Sequence, residues 1–187
     1  EIKIPRSEQH GWIALESLQP LLPTDQGKQR LSEATNLLER FSQLKRDHQR
    51  QEAEACLIRR CALIAEVLGD QHPDLADALE TLGDECQSPE DARQCFETAL
   101  KIDRFVFGTN HFRTTRRLCE LSRFENNQKN YRSALTLAEE CLGICRKSSQ
   151  QNDSMIGSAL FQLAFAASGL HDPTRAVRLY GEVLDIE

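Results

Sequence analysis

Apolar residues recur along this chain in a helical rhythm. Leu79 and Leu82, Leu118 and Leu121, and Leu160 and Leu163 are pairs spaced by three, each followed at once by a small residue: Gly83, Ser122 or Ala164. Further on, Ala92, Ala134 and Ala176 fall 42 residues apart, as do Leu100, Leu142 and Leu184, and Ile102, Ile144 and Ile186. Spacings of three and four gather side chains on one face of a helix. Two such stripes in every period predict a helical hairpin, and a fixed period predicts a stack of hairpins, each burying its apolar edge on the next. Leu38, Phe41 and Ser42 read as an earlier, degraded copy.

The polar positions mark the joints. "VLGDQH" at 67–72 and "VFGTNH" at 106–111 are near copies. Gly69 and Gly108 are expected to end the second helix of a hairpin in the left-handed conformation, and His72 and His111 to begin the next hairpin. Ser88, Asn130 and Asp172, again 42 apart, suit the N-cap, where a short polar side chain accepts from an orphan backbone N–H. Pro89 and Pro173 follow at the first helical position. The joint "SSQQNDSM" at 148–155 lacks Gly and His, so a different or more mobile shape is expected there. The turn between Gly83 and Ala92 is three residues shorter than its counterparts, which explains the 39-residue spacing of the two near copies and is expected to tilt that hairpin. Arg60 stands where Ala99, Cys141 and Val183 stand, so the first hairpin is expected to pack differently.

The opening of the chain does not fit the period. Trp12, Ile13, Leu15 and Leu18 predict a short helix ending before Pro20, and "PLLPTDQG" a connector with a helix start near Asp25. The reading is a capping segment at 1–28, followed by hairpins at about 29–70, 71–109, 110–151 and 152–187.

Composition narrows the function classes. With 187 residues and 40% hydrophobic content the chain can bury a substantial core. A net charge of -6 without an extended basic run weighs against nonspecific nucleic-acid binding. No apolar run approaches a membrane span, and "EIKIPRSEQH" lacks a secretory core, so a soluble, cytoplasmic protein is expected. The sequence starts without Met and stops inside "VRLYGEVLDIE", which reads as a piece of a longer protein. The seven cysteines are odd in number and form no CxxC. Cys56 and Cys95 occupy repeat positions held by Leu137 and Leu179, and Cys141 and Cys145 share a helical face. Reduced, buried thiols behaving as small hydrophobes are expected, in a reducing compartment.

The stretches "DLADALETLGDECQSPEDARQCFETALKIDRFVFGTNH", "RTTRRLCELSRFENNQKNYRSALTLAEECLGICRKS" and "IGSALFQLAFAASGLHDPTRAVRLYGEVLDIE" resemble the tetratricopeptide repeat. Each has Leu-x-x-Leu-small in its first helix and Ala followed by an apolar stripe in its second. The 42-residue period and the "LG-x-x-H" joint are most similar to the kinesin-light-chain variety. The resemblance covers 74–187 and, more weakly, 29–73. It implies an all-α solenoid of antiparallel helical hairpins whose first helices line a concave face. Repeats of that variety carry paired asparagines before the Leu-small pair. Here those places read Glu80-Thr81, Cys119-Glu120 and Phe161-Gln162, so that cargo mode does not transfer. Nor are the ordered Lys and Asn residues of a carboxylate clamp visible.

No GxSxG, P-loop, HExxH or GxGxxG motif occurs, and carboxylate pairs such as Glu139-Glu140 read as solvated faces. Asp70, His72 and Asp74 cluster, but Pro73 breaks any helical ligand face. No enzyme activity, metal or cofactor is expected. The resource that remains is surface. In stacked hairpins the inward positions of the first helices are Asp77, Glu80 and Asp84, then Arg116, Cys119 and Arg123, then Ser158, Phe161 and Phe165. Such a face suits a protein partner, an extended or helical peptide pairing a carboxylate with Arg116 and Arg123 and seating an apolar anchor at Phe161 and Phe165. Two plainer readings stay open: Arg113, Arg116, Arg117 and Arg123 neutralise Asp77, Glu80, Asp84 and Glu120, and Phe161 and Phe165 belong to the core. Rival functions are self-association through the C-terminal edge (Leu179, Val183, Leu184, Ile186) and a regulatory domain of an enzyme with its active site elsewhere.

Overall fold

The computed structural model describes residues 2–5, 12–15, 25–147 and 153–186. Among them eight helices follow one another: α1 (Asp25–Arg46), α2 (Arg50–Leu68), α3 (Pro73–Glu85), α4 (Pro89–Phe107), α5 (Phe112–Asn127), α6 (Tyr131–Lys147), α7 (Asp153–Gly169) and α8 (Pro173–Leu184). The chain divides into two compact units, Glu1–Val106 and Phe107–Glu187.

The first unit opens with a departure from expectation. Trp12–Leu15 is not helical but forms a strand, β2, paired antiparallel with β1 (Ile2–Pro5) in the register Ile2 with Leu15 through Pro5 with Trp12. Four apolar residues without helical repetition carry no strong period, and the Ile-Lys-Ile run upstream offers them a strand partner. β1 lies against α2. Leu18 and Pro20 lie outside the described residues. Helix α1 begins at Asp25, where the start signal stands.

Within this unit α1 and α2 form a hairpin, with α3 against α2. Phe41 and Leu44 meet Leu57, Cys61 and Ile64 in a core continued by Leu75, Leu79, Leu82, Cys95 and Ile102. Each leucine buried this fully contributes about 2 kcal/mol. Ser42, read as the small packing residue of the first copy, is instead exposed and bonds back to the Leu38 carbonyl. In the second hairpin the small residue does pack closely. A Cβ on Gly83 would sit 3.0 Å from the Phe96 ring and 3.3 Å from the Ala92 carbonyl oxygen.

The second unit stacks α5, α6, α7 and α8, each against the next, with α5 also touching α7. Leu118, Leu121, Ala134, Ala138, Leu160, Leu163 and Ala164 form its interior. Ser122, the counterpart of Gly83, donates its hydroxyl to the Ala134 carbonyl at 2.8 Å, out of reach of water. Helix α3 has 13 residues against 16 in α5 and 17 in α7, so the three missing residues come from the end of that helix.

The joints refine the sequence reading. Gly69 and Gly108 follow α2 and α4 at φ 90° and 84°. Gly69, however, has ψ 164°, an extended region open to glycine and not the left-handed helical one. His72 and His111 are N-caps: their Nδ1 atoms accept from the backbone N–H of Asp74 and Arg113, each at 3.2 Å. Ser88 and Asp172 cap α4 and α8, accepting from Asp91 and Arg175. The turns α1–α2, α5–α6 and α7–α8 bend at non-glycine residues, His48, Lys129 and His171, at φ 59°, 62° and 62°. Each is followed by a residue whose N–H reaches back five positions, Gln49 to Leu44, Asn130 to Glu125 and Asp172 to Ala167, closing the helix end in a Schellman motif. Of the joint at 148–155, residues 148–152 lie outside the described residues. No described helix is long and apolar enough to cross a membrane.

Candidate functional site

The residues expected on the inward face lie on first helices, and each unit presents its own set. In the first unit, α3 buries Leu75, Ala76, Ala78, Leu79, Leu82 and Gly83. That leaves Asp77 and Glu80 half-buried and Asp84 exposed along its other side. Asp84 borders a cleft of about 720 Å³ at the hairpin turns, shared with Lys45, His48, Arg50 and Glu54. Its charges are largely spent locally: Lys45 pairs with Glu85, and Gln87 donates to Glu54 at 3.2 Å.

In the second unit, α5 carries Arg116 and Arg123, both half-buried. Arg123 pairs through Nε with Glu120, one turn earlier on the same helix, at 2.8 Å. An ion pair this exposed contributes only about 0–1 kcal/mol. Arg117, one residue from Arg116, is buried, as are Glu125 and Asn126.

Cys119 is also buried, beneath the face on which the spacing places it. It belongs to a thiol cluster with Cys141 and Cys145 of α6. The Cys141 thiol lies 3.3 Å from the Thr115 carbonyl oxygen and within reach of both other sulfurs. Hydrogen bonding from Cys141 lowers the Cys119 pKa, with Arg123 helping and burial opposing. Donation to Cys119 and burial push Cys141 up, and burial pushes Cys145 up. In the first unit Cys95 is raised by its hydrogen bond with Cys86 and by burial, and burial pushes Cys61 up to about 12. All seven cysteines are free, and among the described residues no group of three or more His, Cys, Asp or Glu is arranged to hold a metal ion.

Helix α7 supplies the aromatic part. Phe161 and Phe165, one turn apart, are 47% and 41% exposed, so they are surface and not core. Phe161 meets Tyr180 of α8 edge to face at 5.8 Å, and Phe165 meets Tyr131 of α6 at 6.5 Å. Gly169 extends the same stripe. The Tyr131 ring lies so close that a Cβ there would fall 2.5 Å from it. The result is a row of four rings across three helices, held from below by Asn126, whose amide donates to the Gln162 side chain at 2.9 Å and backbone carbonyl at 3.0 Å.

Beside this row a cleft of about 570 Å³ opens between α7 and α8. Phe161, Val183 and Ile186 give it an apolar wall, while Asp153, Ser154, Ser158 and Gln162 supply its polar groups. Gly157 explains the space. Thr115 and Ala76 hold its position in the earlier copies, whereas a Cβ on Gly157 meets nothing within 4 Å. The tyrosines and Gly157 stand outside the Leu-small frame, which is why the sequence did not single them out; the 42-residue alignment of Gly157 with Thr115 was the available signal.

The family model of the tetratricopeptide repeat matches residues 114–153, from the first turn of α5 through α6. This stretch is a tetratricopeptide repeat. No curated protein matches the chain. Among solved structures the chain is similar to the TPR-like repeats of a Podosopora anserina protein called a kinesin light chain, with a TM-score of 0.71 and 20% identity over 82% of this chain and 74% of that one. A singly substituted form of the same repeats gives the same values. It is also similar to BtubC (BKLC) from P. vanneervenii, with a TM-score of 0.69 and 14% identity over 78% of this chain and 59% of that one. At such identities the likeness concerns the fold: an all-α tetratricopeptide-type solenoid of antiparallel hairpins, as the period and the resemblance predict.

Proposed function

We propose that this tetratricopeptide-repeat chain is a non-catalytic scaffold or adaptor module that holds a segment of a partner protein on the open sides of its first helices. The observation that carries the reading is the exposed pair Phe161 and Phe165, set in a row of aromatic rings. Large half-exposed aromatics on rigid helices are the usual anchors of protein interfaces. In this reading Arg116 and Arg123 add charge-assisted hydrogen bonds to a partner carboxylate, Cys119 lies under that contact, and Asp77, Glu80 and Asp84 form the acidic face of the other unit. The free cysteines favour a reducing, cytoplasmic setting.

Capture of partners from cell extract by the wild-type chain and by the Phe161→Ala, Phe165→Ala variant tests the proposal. Loss of the captured proteins at unchanged helicity is the expected result; an identical set of captured proteins overturns it.

One observation favours self-association as a second reading. Leu184 is 72% exposed, whereas Leu142 and Leu100 at the same repeat position are 7% and 5% exposed. Sedimentation over a concentration series decides it, since a monomer throughout removes this reading.

A further inference from the structure

The cleft between α7 and α8 departs from the repeat pattern in one respect: space that side chains fill in the preceding hairpin is open. There Thr115 and Cys141 stand at the positions of Gly157 and Val183, with the Cys141 thiol against the Thr115 carbonyl and Cys119 and Cys145 beside it. In the last hairpin Gly157 contributes no side chain, and the apolar surfaces of Phe161, Val183 and Ile186 face the resulting cleft.

The charge of its lining restricts the occupant. Asp153 is the one charged side chain among the lining residues, and it makes no ion pair among the described residues. The negative end of the α8 dipole, beside Val183, and the positive end of α7, beside Asp153, offset one another at the cleft, so the Asp153 carboxylate and the exposed Asp185 that follows α8 set its charge. The neighbouring Glu182 already accepts from Arg146 at 2.9 Å and lies 4.0 Å from Arg178. An apolar wall with a carboxylate and hydroxyls at its edge fits an aliphatic side chain followed in sequence by a cation.

We propose that this cleft is the anchor pocket of the interaction face, taking a partner peptide with a leucine-type side chain against Phe161, Val183 and Ile186 and an adjacent Lys or Arg toward Asp153. The assignment rests on the interaction-module reading and adds the chemistry of the partner at this end of the face. The Ser154 hydroxyl and the Gln162 amide donate to the peptide backbone, and the Ser158 oxygen, whose own hydrogen goes to the Ser154 carbonyl at 2.9 Å, accepts from it. Gln162 is suited to this because Asn126 fixes its side-chain oxygen and so leaves its amide N–H groups for an acceptor.

The test uses methyl NMR of Val183 and Ile186 with three short blocked peptides: Ser-Leu-Arg-Arg-Ser, Ser-Leu-Glu-Glu-Ser and Ser-Ala-Arg-Arg-Ser. The first is expected to give saturable shifts, and the other two to bind about tenfold more weakly or less, since the second loses the charge match and the third several buried methyl and methylene groups. Gly157→Leu fills the cleft and is expected to abolish the shifts while far-UV circular dichroism stays as in the wild type and melting is no lower, since the helix loses a glycine. Asp153→Asn is expected to narrow the preference for Arg over Glu. Absence of saturation at millimolar peptide, equal or better binding of the Glu peptide, or undiminished binding to Gly157→Leu overturns the assignment. If the assignment fails while partner capture still depends on Phe161 and Phe165, the interaction face stands without this pocket. If capture survives loss of both phenylalanines, the wider reading falls whatever the peptides do.

Discussion

Asn126 of α5 donates its side-chain amide to Gln162 of α7 twice over, at 2.9 Å to the side-chain oxygen and 3.0 Å to the backbone carbonyl. This links the first helices of two successive hairpins beneath the aromatic row. Asn126→Leu leaves the half-buried Gln162 side-chain oxygen without its protein partner, which costs about 0.5–1.5 kcal/mol. Urea denaturation is expected to show a lower midpoint with an unchanged slope.

Close approach explains a second contrast. Gly169→Ala drives a methyl into the Tyr131 ring and is expected to lose about 1–3 kcal/mol by overpacking. Gly143→Ala and Gly157→Ala, in helices with nothing within 4 Å of the added carbon, are expected to gain about 0.5–1 kcal/mol from helix propensity. Thermal melting of the three variants gives the comparison, and a stabilised Gly169→Ala contradicts the packing described.

At Gly108 the obstacle is the backbone, since φ is 84° and no atom stands near a new Cβ. Gly108→Ala is therefore expected to destabilise by about 1–2 kcal/mol through conformation alone. The adjoining His111 both caps α5 and stacks its ring on Phe107 at 4.7 Å. His111→Ala is expected to lose both contributions, and His111→Asn to restore only the cap, about 0.5–2 kcal/mol, because its oxygen accepts the same N–H.

The thiols give a pH prediction. Cys119 is lowered by the hydrogen bond from Cys141, so its thiolate, the reactive form, appears at lower pH than that of an ordinary cysteine. Alkylation of Cys119, followed by mass spectrometry across a pH series, is expected to shift to higher pH in Cys141→Ala. An unmoved profile means that Cys141 does not donate to it.

Cys61 works on the alkaline side. Its pKa is raised to about 12 in the folded state, so the neutral thiol is favoured by folding. That contribution is complete below the unfolded value of about 8.5 and is lost as pH rises toward the folded value. Chemical denaturation of the wild type against Cys61→Ala is expected to show a smaller loss of stability between those limits in the variant.

The hairpins were legible in the sequence because their signals are local and repeated. Leu79 with Leu82, Ala92 with Leu100, Gly69 before His72 and Pro89 after Ser88 each act within one or two helical turns, and the 42-residue period confirms one copy by the next. Residues 12–15 escaped that logic, having no second copy and a strand partner in 2–5. His48, Lys129 and His171 escaped it too, because their positive φ comes from closing a hairpin and not from glycine.

The candidate site was legible only in part. Spacing put Phe161 and Phe165 on an outward stripe of a helix but left open whether they formed core, since Ala164 between them is buried. The same spacing placed Cys119 with Arg116 and Arg123, yet Cys119 lies under the surface against Cys141 and Cys145. The chain's pattern thus determined the helices, their order and their buried edges, because burial of an apolar stripe needs only the neighbouring turn and the neighbouring repeat. Tertiary packing alone decided which outward residues remain open, where Tyr131 and Tyr180 meet the phenylalanines, and that Gly157 leaves a cleft. Those outcomes depend on distances between side chains of different helices, which no period in the sequence records.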